Sequence, residues 1–332
     1  MNRMMLSLTL FLTIAAGPAT RSRADETGTA MADAASRFLS SLEDGQRAQA
    51  SFAFESPERF NWHWIPRERK GVPIKDLTPE RRALAFGLLS TGLSTKGMLK
   101  ATTIMSLEEI LRLKEKGSGP IRDTELYYLS VFGTPSDDGE WGWRIEGHHL
   151  SLNYTLKGGK VISATPFQFG SNPAVVKSGP RKGLRNLAEI EGPANELLRS
   201  LDSDQKKVAV VRDVAPEVTT TPNPSQAPRT EAEGISVNKL SSEQREMLAR
   251  FLQAYAENFP PPVKADLLEQ LERGAKAAHF AWYGPADATK PHAFRVQGPT
   301  FLIDFNETQD DTNHIHTYYR SLIGDFGVSA GG

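Results

Sequence analysis

Apolar residues recur at spacings of three and four along much of the chain, and the boundaries of these segments carry helix-start chemistry. Thr78 followed by Pro79 is a typical start, with Thr78 as the N-cap and proline at the first helical position. The segment Ser241-Ser242-Glu243-Gln244 is a capping box. The predicted helices are a pair between Pro79 and Lys116, then Leu184–Leu201, Asp202–Val211, Ser242–Asn258 and Pro262–Ala278.

Short runs with period-two alternation predict strands in two other regions. Trp141–Ile145 and Leu150–Tyr154, together with the turn pair Gly158-Gly159, are typical of a β-hairpin. A β-meander is predicted from Phe280–Tyr283, His292–Val296, Phe301–Phe305 and His314–Tyr319. Because the helices are segregated from the antiparallel hairpins and the meander, we expect an α+β fold.

The remaining segments predict the organisation of the chain. Residues Asp25–Ala32 read as a flexible leader before a helix through Phe38, and Ala50–Phe54 reads as a strand. We expect residues 25–332 to form a single domain, with a Pro/Thr-rich loop or linker at 213–234.

Three similar segments begin at residues 41, 200 and 239. We interpret them as recurrent helix-start chemistry, with a duplicated helix–sheet unit as the alternative.

The N-terminus has the organisation of a signal peptide. Arg3 precedes an apolar run from Met4 to Ala16, and small residues lead to Ala24. The 13-residue run is too short to span a bilayer. We therefore predict cleavage before Asp25, with a cut after Ala19 or an uncleaved anchor as the alternatives. We expect no stable membrane insertion after cleavage and a periplasmic or secreted location.

Charge and cysteine content exclude several classes of protein. Removal of residues 1–24 takes away three arginines and changes the net charge from −1 to −4, which argues against a nucleic-acid partner. The chain has no cysteine, so disulfides, thiolate metal ligands and a cysteine nucleophile are excluded. Stability must come from an apolar core, which a chain of this length can build.

Four of the seven histidines occur in two short motifs. His314 and His316 are two residues apart in a predicted strand, so both imidazoles point to one face. His148 and His149 are neighbours in another predicted strand and should face opposite ways, so one of them, with His149 favoured, would join the pair. Three imidazoles suit zinc, copper(II) or ferrous iron as a divalent cofactor. In the alternative interpretation, these histidines cap strand ends and bond backbone carbonyls.

Nearby charged residues would complete such a site. The candidate carboxylate ligands are Asp304, Asp310, Asp311 and Glu146. In a hydrolytic enzyme, Asp304 or Glu146 would shuttle a proton to or from a metal-bound water, and Arg144 or Arg320 would neutralise an anionic substrate.

Other functional patterns are weaker. The acidic stretch 304–313 lacks the glycine and the glutamate of an EF-hand, so a solvated hairpin loop is the better interpretation. Trp62 with Trp64, and Trp141 with Trp143, could form an aromatic platform, although core packing explains them more simply. The chain contains no nucleophile elbow, zinc-protease helix, Walker loop or dinucleotide glycine pattern.

The ordered combination of four motifs resembles the bacterial domain-of-unknown-function family 3500, whose members are typically exported. The motifs are Gly147–Asn153, Pro166–Pro173, Gly298–Asp304 and Asn313–Arg320, and the resemblance covers about Phe38 to Gly327. It implies no particular reaction. It does imply that the Gly-His-His and His-x-His motifs belong to one pattern.

These observations lead to two functional hypotheses. The first is an exported metal-binding protein, for which the sequence leaves open whether it is also a metal-dependent hydrolase or oxidoreductase. The second is a non-catalytic extracytoplasmic module that binds a small-molecule ligand in an aromatic-lined cleft.

Overall fold

Most of the helices lie where the capping signals of the sequence predict them. A computed structural model describes residues 23–217 and 226–329. Thr78 and Ser241 are the N-caps of two helices, and the capping box at Ser241 is formed. Within the described residues the helices are α1 (Arg23–Ser41), α2 (Asp44–Ala50), α3 (Pro79–Gly92), α4 (Thr95–Glu115), α5 (Ala188–Ser200), α6 (Ser203–Ala209), α7 (Ser242–Ala256) and α8 (Pro261–Ala275).

Thirteen strands of the described residues form one mostly antiparallel sheet, which confirms the predicted α+β class. The path through the sheet is β1-β3-β4-β5-β7-β13-β12-β11-β10-β8, with β2 on β3, β6 on β5 and β9 on β10. The strands are β1 (Ser51–Phe52), β2 (Val72–Pro73), β3 (Tyr128–Phe132), β4 (Glu140–Gly147), β5 (Leu150–Lys157), β6 (Lys160–Ser163), β7 (Phe167–Ser171), β8 (Val210–Arg212), β9 (Ile235–Ser236), β10 (His279–Tyr283), β11 (His292–Gln297), β12 (Phe301–Glu307) and β13 (Ile315–Ser321).

The two faces of the sheet are covered differently. Alternate residues such as Ile303, Phe305 and Tyr319 belong to a large apolar cluster shared with the helices. Tyr318, whose side chain leaves the opposite face, packs with Trp62 and Trp64, which lie in a loop, and with Phe326 of a short 3-10 turn. Helices therefore cover one face and long loops cover the other.

The prediction of a flexible leader at residues 25–32 is wrong, because this segment belongs to α1. Met31, Ala35, Phe38 and Leu42 are buried at spacings of three and four residues, which supplies a continuous apolar stripe. The absence of a side chain at Gly28 allows close contact with the carbonyl of Gly159, where a Cβ would come within 1.9 Å.

The hairpin turn also differs from the sequence prediction. Gly158-Gly159 joins β5 to β6, whereas the turn between β4 and β5 is His148-His149. The four predicted meander strands are confirmed as β10 to β13, each antiparallel to the next.

The order of elements repeats across the two halves of the chain. In each half, a pair of helices is followed by a short strand. This strand runs parallel to the first strand of the antiparallel series in that half, as β1 does to β3 and β8 to β10. A second short strand then pairs antiparallel with that same strand, as β2 does with β3 and β9 with β10. Two further helices and the antiparallel series follow in both halves. The duplicated helix–sheet unit is therefore the better interpretation of the repeated segments.

Strand register makes the two halves correspond residue by residue. Trp143 pairs with Tyr154 in the first half, and Phe294 pairs with Phe305 in the second. The amide of Gly170 donates to the carbonyl of His149, and the amide of Leu322 donates to the carbonyl of Thr300 in the same way. The two copies meet at the antiparallel pair β7–β13 in the middle of the sheet.

Two sequence predictions concern segments that lie partly outside this description. Residues 1–22 of the predicted signal peptide are outside the described residues, as are residues 218–225 of the Pro/Thr-rich segment. Described residues flanking that segment are anchored, since Arg229 Nε donates to the carbonyl of Leu322 at 3.0 Å and Ala227 is buried. None of the described helices is long and apolar enough to cross a membrane.

Candidate metal centre

The turn between β4 and β5 holds two histidines in a fixed conformation. His149 has φ of +62°, which is uncommon for a residue with a side chain. Its amide donates to the carbonyl of Trp64 at 2.9 Å, its carbonyl accepts from Gly170 at 2.8 Å, and Tyr127 Oη donates to the carbonyl of His148 at 3.0 Å. These three hydrogen bonds stabilise the unusual backbone conformation.

The turn changes the expected direction of both imidazoles. In a strand, His148 and His149 would face opposite ways, but the turn stacks their rings with centroids 3.6 Å apart. Gly170 leaves room for the His149 ring, because a Cβ at Gly170 would lie 2.8 Å from His149 Cδ2. The prediction that both histidines lie in a strand is therefore wrong, and the turn explains why.

The second histidine motif lies at the start of β13, a central strand of the sheet. His314 immediately precedes the strand, and His316 lies within it, opposite Gly170 of β7. His149 Nε2 and His314 Nε2 are 2.8 Å apart. The His316 ring centroid is 5.0 Å from that of His149 and 4.6 Å from that of His314. One ligand nitrogen from each of the three lies within 4.8 Å of the others.

The environment of the three imidazoles favours their neutral form. Burial, with the neighbouring imidazoles as a further cause, lowers the pKa of His149 and that of His316 well below the usual value. Burial lowers the pKa of His314 to about 4, although Asp310 opposes that shift. Neutral imidazoles each carry one nitrogen lone pair, which is the form that binds metals.

A carboxylate contacts one ring nitrogen of His314 and favours a proton on that nitrogen. His314 Nδ1 lies 3.0 Å from Asp310 Oδ2, and Asn172 Nδ2 donates to the same oxygen at 2.9 Å. A proton on Nδ1 donated to Asp310 leaves the lone pair on Nε2, the atom that faces His149. Carboxylate–histidine pairs orient metal ligands in this way.

A second carboxylate contacts His148. Glu108 of α4 is buried, and its Oε1 lies 2.5 Å from His148 Nδ1. Arg122 Nη1 is 4.0 Å from Glu108 Oε2, while its guanidinium also pairs with Glu115 at 2.8 Å. Glu108, His148 and His149 thus form a second group with ligand atoms within 4.8 Å. Glu108 is not recognisable from the sequence, because a single glutamate on an amphipathic helix carries no signal of its tertiary neighbours.

The four residues predicted to act as proton shuttles or to neutralise an anion each take part in an ion pair. Asp304 accepts two hydrogen bonds from Arg295, and Arg320 Nε donates to Asp325 at 2.6 Å. Arg144 Nη2 donates to Glu58 at 2.7 Å, and Glu146 Oε1 lies 3.4 Å from Arg144 Nε and 3.8 Å from Arg69 Nε. All four side chains are buried. Of the predicted carboxylate ligands, Asp310 contacts a histidine of the cluster, while Asp311 is exposed on the same turn.

The tryptophans predicted to form either a platform or a core are buried. Trp62 and Trp64 pack with Tyr318 on the loop-covered face, and Trp141 and Trp143 belong to the main apolar cluster. Each of the four is at most 2% exposed, so they build the core and do not form an open aromatic surface.

The second copy of the repeat provides an internal comparison for the site. Its turn between β11 and β12 carries Pro299 and Thr300 at the positions of His148 and His149. Gly274 of α8 lies against that turn, since a Cβ at Gly274 would be 3.2 Å from Thr300 Oγ1. In the first half, Glu108 of α4 contacts the histidine turn instead. The fold forms this turn in both halves, so the imidazoles and the carboxylate are not required to build it.

Comparison with known proteins identifies the family of this chain. Residues 24–328 match the family model described as protein of unknown function (DUF3500), and the chain belongs to that family. No curated protein and no solved structure matches the chain.

Proposed function

We propose that this member of the DUF3500 family is an exported protein that binds one divalent metal ion through His149, His314 and His316. The observation that carries this proposal is the convergence of imidazoles from two motifs separated by 165 residues. Three buried, neutral imidazoles in contact, one of them oriented by a carboxylate, form a metal-binding arrangement. Export is supported by the signal-peptide pattern of residues 1–24.

The distances fit an imidazole site after a small adjustment. Zinc–nitrogen bonds of about 2.0–2.1 Å in a tetrahedron separate two ligand nitrogens by about 3.3 Å. The present 2.8 Å between His149 Nε2 and His314 Nε2 is a hydrogen bond that uses one ring proton. Metal binding would move that proton to the Nδ1 atom of the same ring, so that Nε2 can bind the metal, and would move the two nitrogens apart by roughly half an ångström.

The stacked geometry favours His149 over His148 as the third ligand. The rings of His148 and His149 are inclined by only 30°, so their in-plane lone pairs run side by side. By contrast, the His149 ring is inclined by 71° to that of His314 and by 65° to that of His316. His148 would then stand beside the ligand set, held by Glu108.

Three imidazoles leave a coordination position for water or substrate. A zinc ion bound there would lower the pKa of that water, which suits hydrolysis, whereas copper or iron would suit oxidation. The catalytic roles predicted for Asp304, Glu146, Arg144 and Arg320 remain predictions. Asp310 and Glu108 are the carboxylates in contact with imidazoles.

Cobalt(II) substitution tests the ligand set directly. We expect one equivalent of cobalt to give the visible d–d bands of a nitrogen-rich site in the wild-type protein, and we expect these bands to be lost in His149→Ala, His314→Ala and His316→Ala. His279→Ala is the matched control, because His279 lies on strand β10, outside the cluster. Equal bands in all four variants would contradict the proposal. Protein that binds no cobalt would favour the non-catalytic ligand-binding module.

A further inference from the structure

A cleft of about 750 Å³ opens beside the candidate metal centre, which is a size typical of small-molecule sites. Its walls are α4, the loop 173–181 and the turn 310–313. Leu113 of α4 lines the cleft although its side chain is 61% exposed. The apolar part of the lining is Ile110, Leu113, Pro173, Val175, Val176 and Pro180.

Cations lie among these apolar residues. Lys114, Lys177 and Arg181 line the same cleft, and Arg181 Nη1 donates to Ser106 Oγ at 2.9 Å. In the part of the chain that the structure describes, neither lysine takes part in an ion pair.

The three cations are matched in number by Glu109, Asp310 and Asp311, but most charges of opposite sign lie on different walls of the cleft. Glu109 is paired with Arg112 by two hydrogen bonds of 2.7 Å, and Asp310 accepts from Asn172 and contacts His314. Asp311 lies on the opposite wall. The α4 and loop side of the cleft therefore combines apolar side chains with excess positive charge.

The cleft wall is bonded to the histidine segment. Asn313 precedes His314, and its Oδ1 accepts from the amide of Val175 at 2.8 Å while its Nδ2 donates to the carbonyl of Val175 at 3.3 Å. On the same turn, Asp310, Asp311 and Thr312 all have φ between 53° and 57°. Three consecutive left-handed residues with side chains are strained, and such strain is concentrated at ligand sites.

We propose that this cleft binds a small amphiphilic anion, with its apolar chain along α4 and its acidic head group at Lys114, Lys177 and Arg181. Apolar lining contributes affinity through burial of the chain, and the cations select an anionic head group. A neutral or cationic amphiphile lacks the electrostatic attraction of its head group to these cations. Any action of the metal on this ligand rests on the proposed function, but binding of the ligand does not.

Displacement of a fluorescent apolar sulfonate, 1-anilinonaphthalene-8-sulfonate, by monomeric dodecanoate tests the proposal on the full-length mature protein. We expect dodecanoate to displace the dye and dodecyltrimethylammonium, with the same chain and the opposite charge, to displace it at least tenfold more weakly. Leu113→Asp should weaken dodecanoate binding about tenfold, because it removes a leucine contact from the apolar chain.

Two matched controls keep the test independent of folding. Leu99→Asp changes another leucine of α4, 67% exposed and outside the cleft, and should leave binding unchanged. Lys177→Glu should weaken binding about fivefold or more, whereas Lys182→Glu in the same loop, which does not line the cleft, should not.

The metal-free variant His316→Ala separates the two proposals. We expect this variant to bind dodecanoate as tightly as the wild type does, whether or not the wild-type protein binds a metal. Equal binding by Leu113→Asp and Leu99→Asp, or equal displacement by the cationic and anionic amphiphiles, would overturn the cleft proposal.

Discussion

Gly170 and His149 show how one residue type can control the position of a candidate ligand. A Cβ at Gly170 would lie 2.8 Å from the His149 ring and 2.9 Å from the carbonyl of Ile315. The ring or the strand would have to move. No φ restriction prevents alanine there, so the effect of a substitution arises from space alone.

The substitution Gly170→Ala should therefore weaken metal binding. We expect a loss of about 10- to 100-fold in affinity, the range for changes that misplace a metal ligand, and destabilisation of about 1–3 kcal/mol from overpacking. Gly87→Ala in α3 is the control, since nothing lies within 4 Å of its Cβ position. Isothermal titration and chemical denaturation measure both effects, and an unchanged affinity in Gly170→Ala would contradict the assigned position of His149.

Glu307 is a buried carboxyl group that should make stability depend on pH. Burial, and secondly the charge of Glu191, raises the pKa of Glu307 to about 8, with Arg185 opposing. His292, which pairs with Glu307 across the strands, has a pKa lowered by burial and so stays neutral near pH 7. The carboxyl group therefore keeps its proton in the folded protein over a range in which the unfolded chain loses it.

The sign of the effect follows from that difference. Between about pH 4.5 and 8 the unfolded state loses the Glu307 proton first, so the free energy of unfolding should fall by up to about 1.4 kcal/mol per pH unit. Glu307→Gln should remove this slope and be more stable than wild type above pH 7. Glu246→Gln, on the exposed face of α7, is the control. Parallel stability–pH curves for wild type and Glu307→Gln would show that the buried carboxyl group is not the cause.

The sequence predicted the candidate site only in part. The spacing of His314 and His316 correctly indicated a pair, because strand periodicity is local. The role of His149 depends on a turn with positive φ, and a strand pattern cannot show this. Glu108 is 40 residues from His148 in sequence, so only the packing of α4 on the sheet brings the two together.

At the scale of elements, most helices and the meander could be predicted because their signals are local. Thr78 and Ser241 mark helix starts by hydrogen bonds within three residues. The helix through Phe38 was predicted, but its first part at residues 25–32 was not, since the alanine-rich stripe there resembles a polar leader until its packing partners are known. The parallel pairing of β1 with β3 and of β8 with β10 depends on distant residues and has no sequence signature.

The segment 213–234 should be the first site of limited proteolysis. Its four prolines cannot donate backbone hydrogen bonds, and its Pro/Thr-rich sequence predicts no regular element there. We expect the two fragments to remain associated, because β8 before the cut and β9 after it both pair with β10. Gel filtration of nicked protein measures this. Fragments that separate without denaturant would indicate two independent domains, and a first cut between Trp141 and Phe169 would contradict the assignment of the core.

At the scale of the whole molecule, the duplicated fold places different chemistry at equivalent positions. The cross-strand pair Trp141–Leu156 of the first half corresponds to His292–Glu307 of the second. The histidine turn of the first half corresponds to Pro299-Thr300. Because the backbone is kept while the side chains change, the histidine turn is a specialisation of the first copy, and it meets His314 and His316 of the second copy where β7 pairs with β13. This asymmetry supports a binding function for the cluster.

The central claim is that the imidazole cluster holds a metal ion, and the metal content of the protein tests it most directly. Protein without a histidine tag, isolated from the periplasm, should contain about one divalent ion per chain by elemental analysis. His314→Ala and His316→Ala should contain almost none, while a chelator should lower the melting temperature of the wild type only. Metal-free wild-type protein, with melting unchanged by the chelator, would contradict the account.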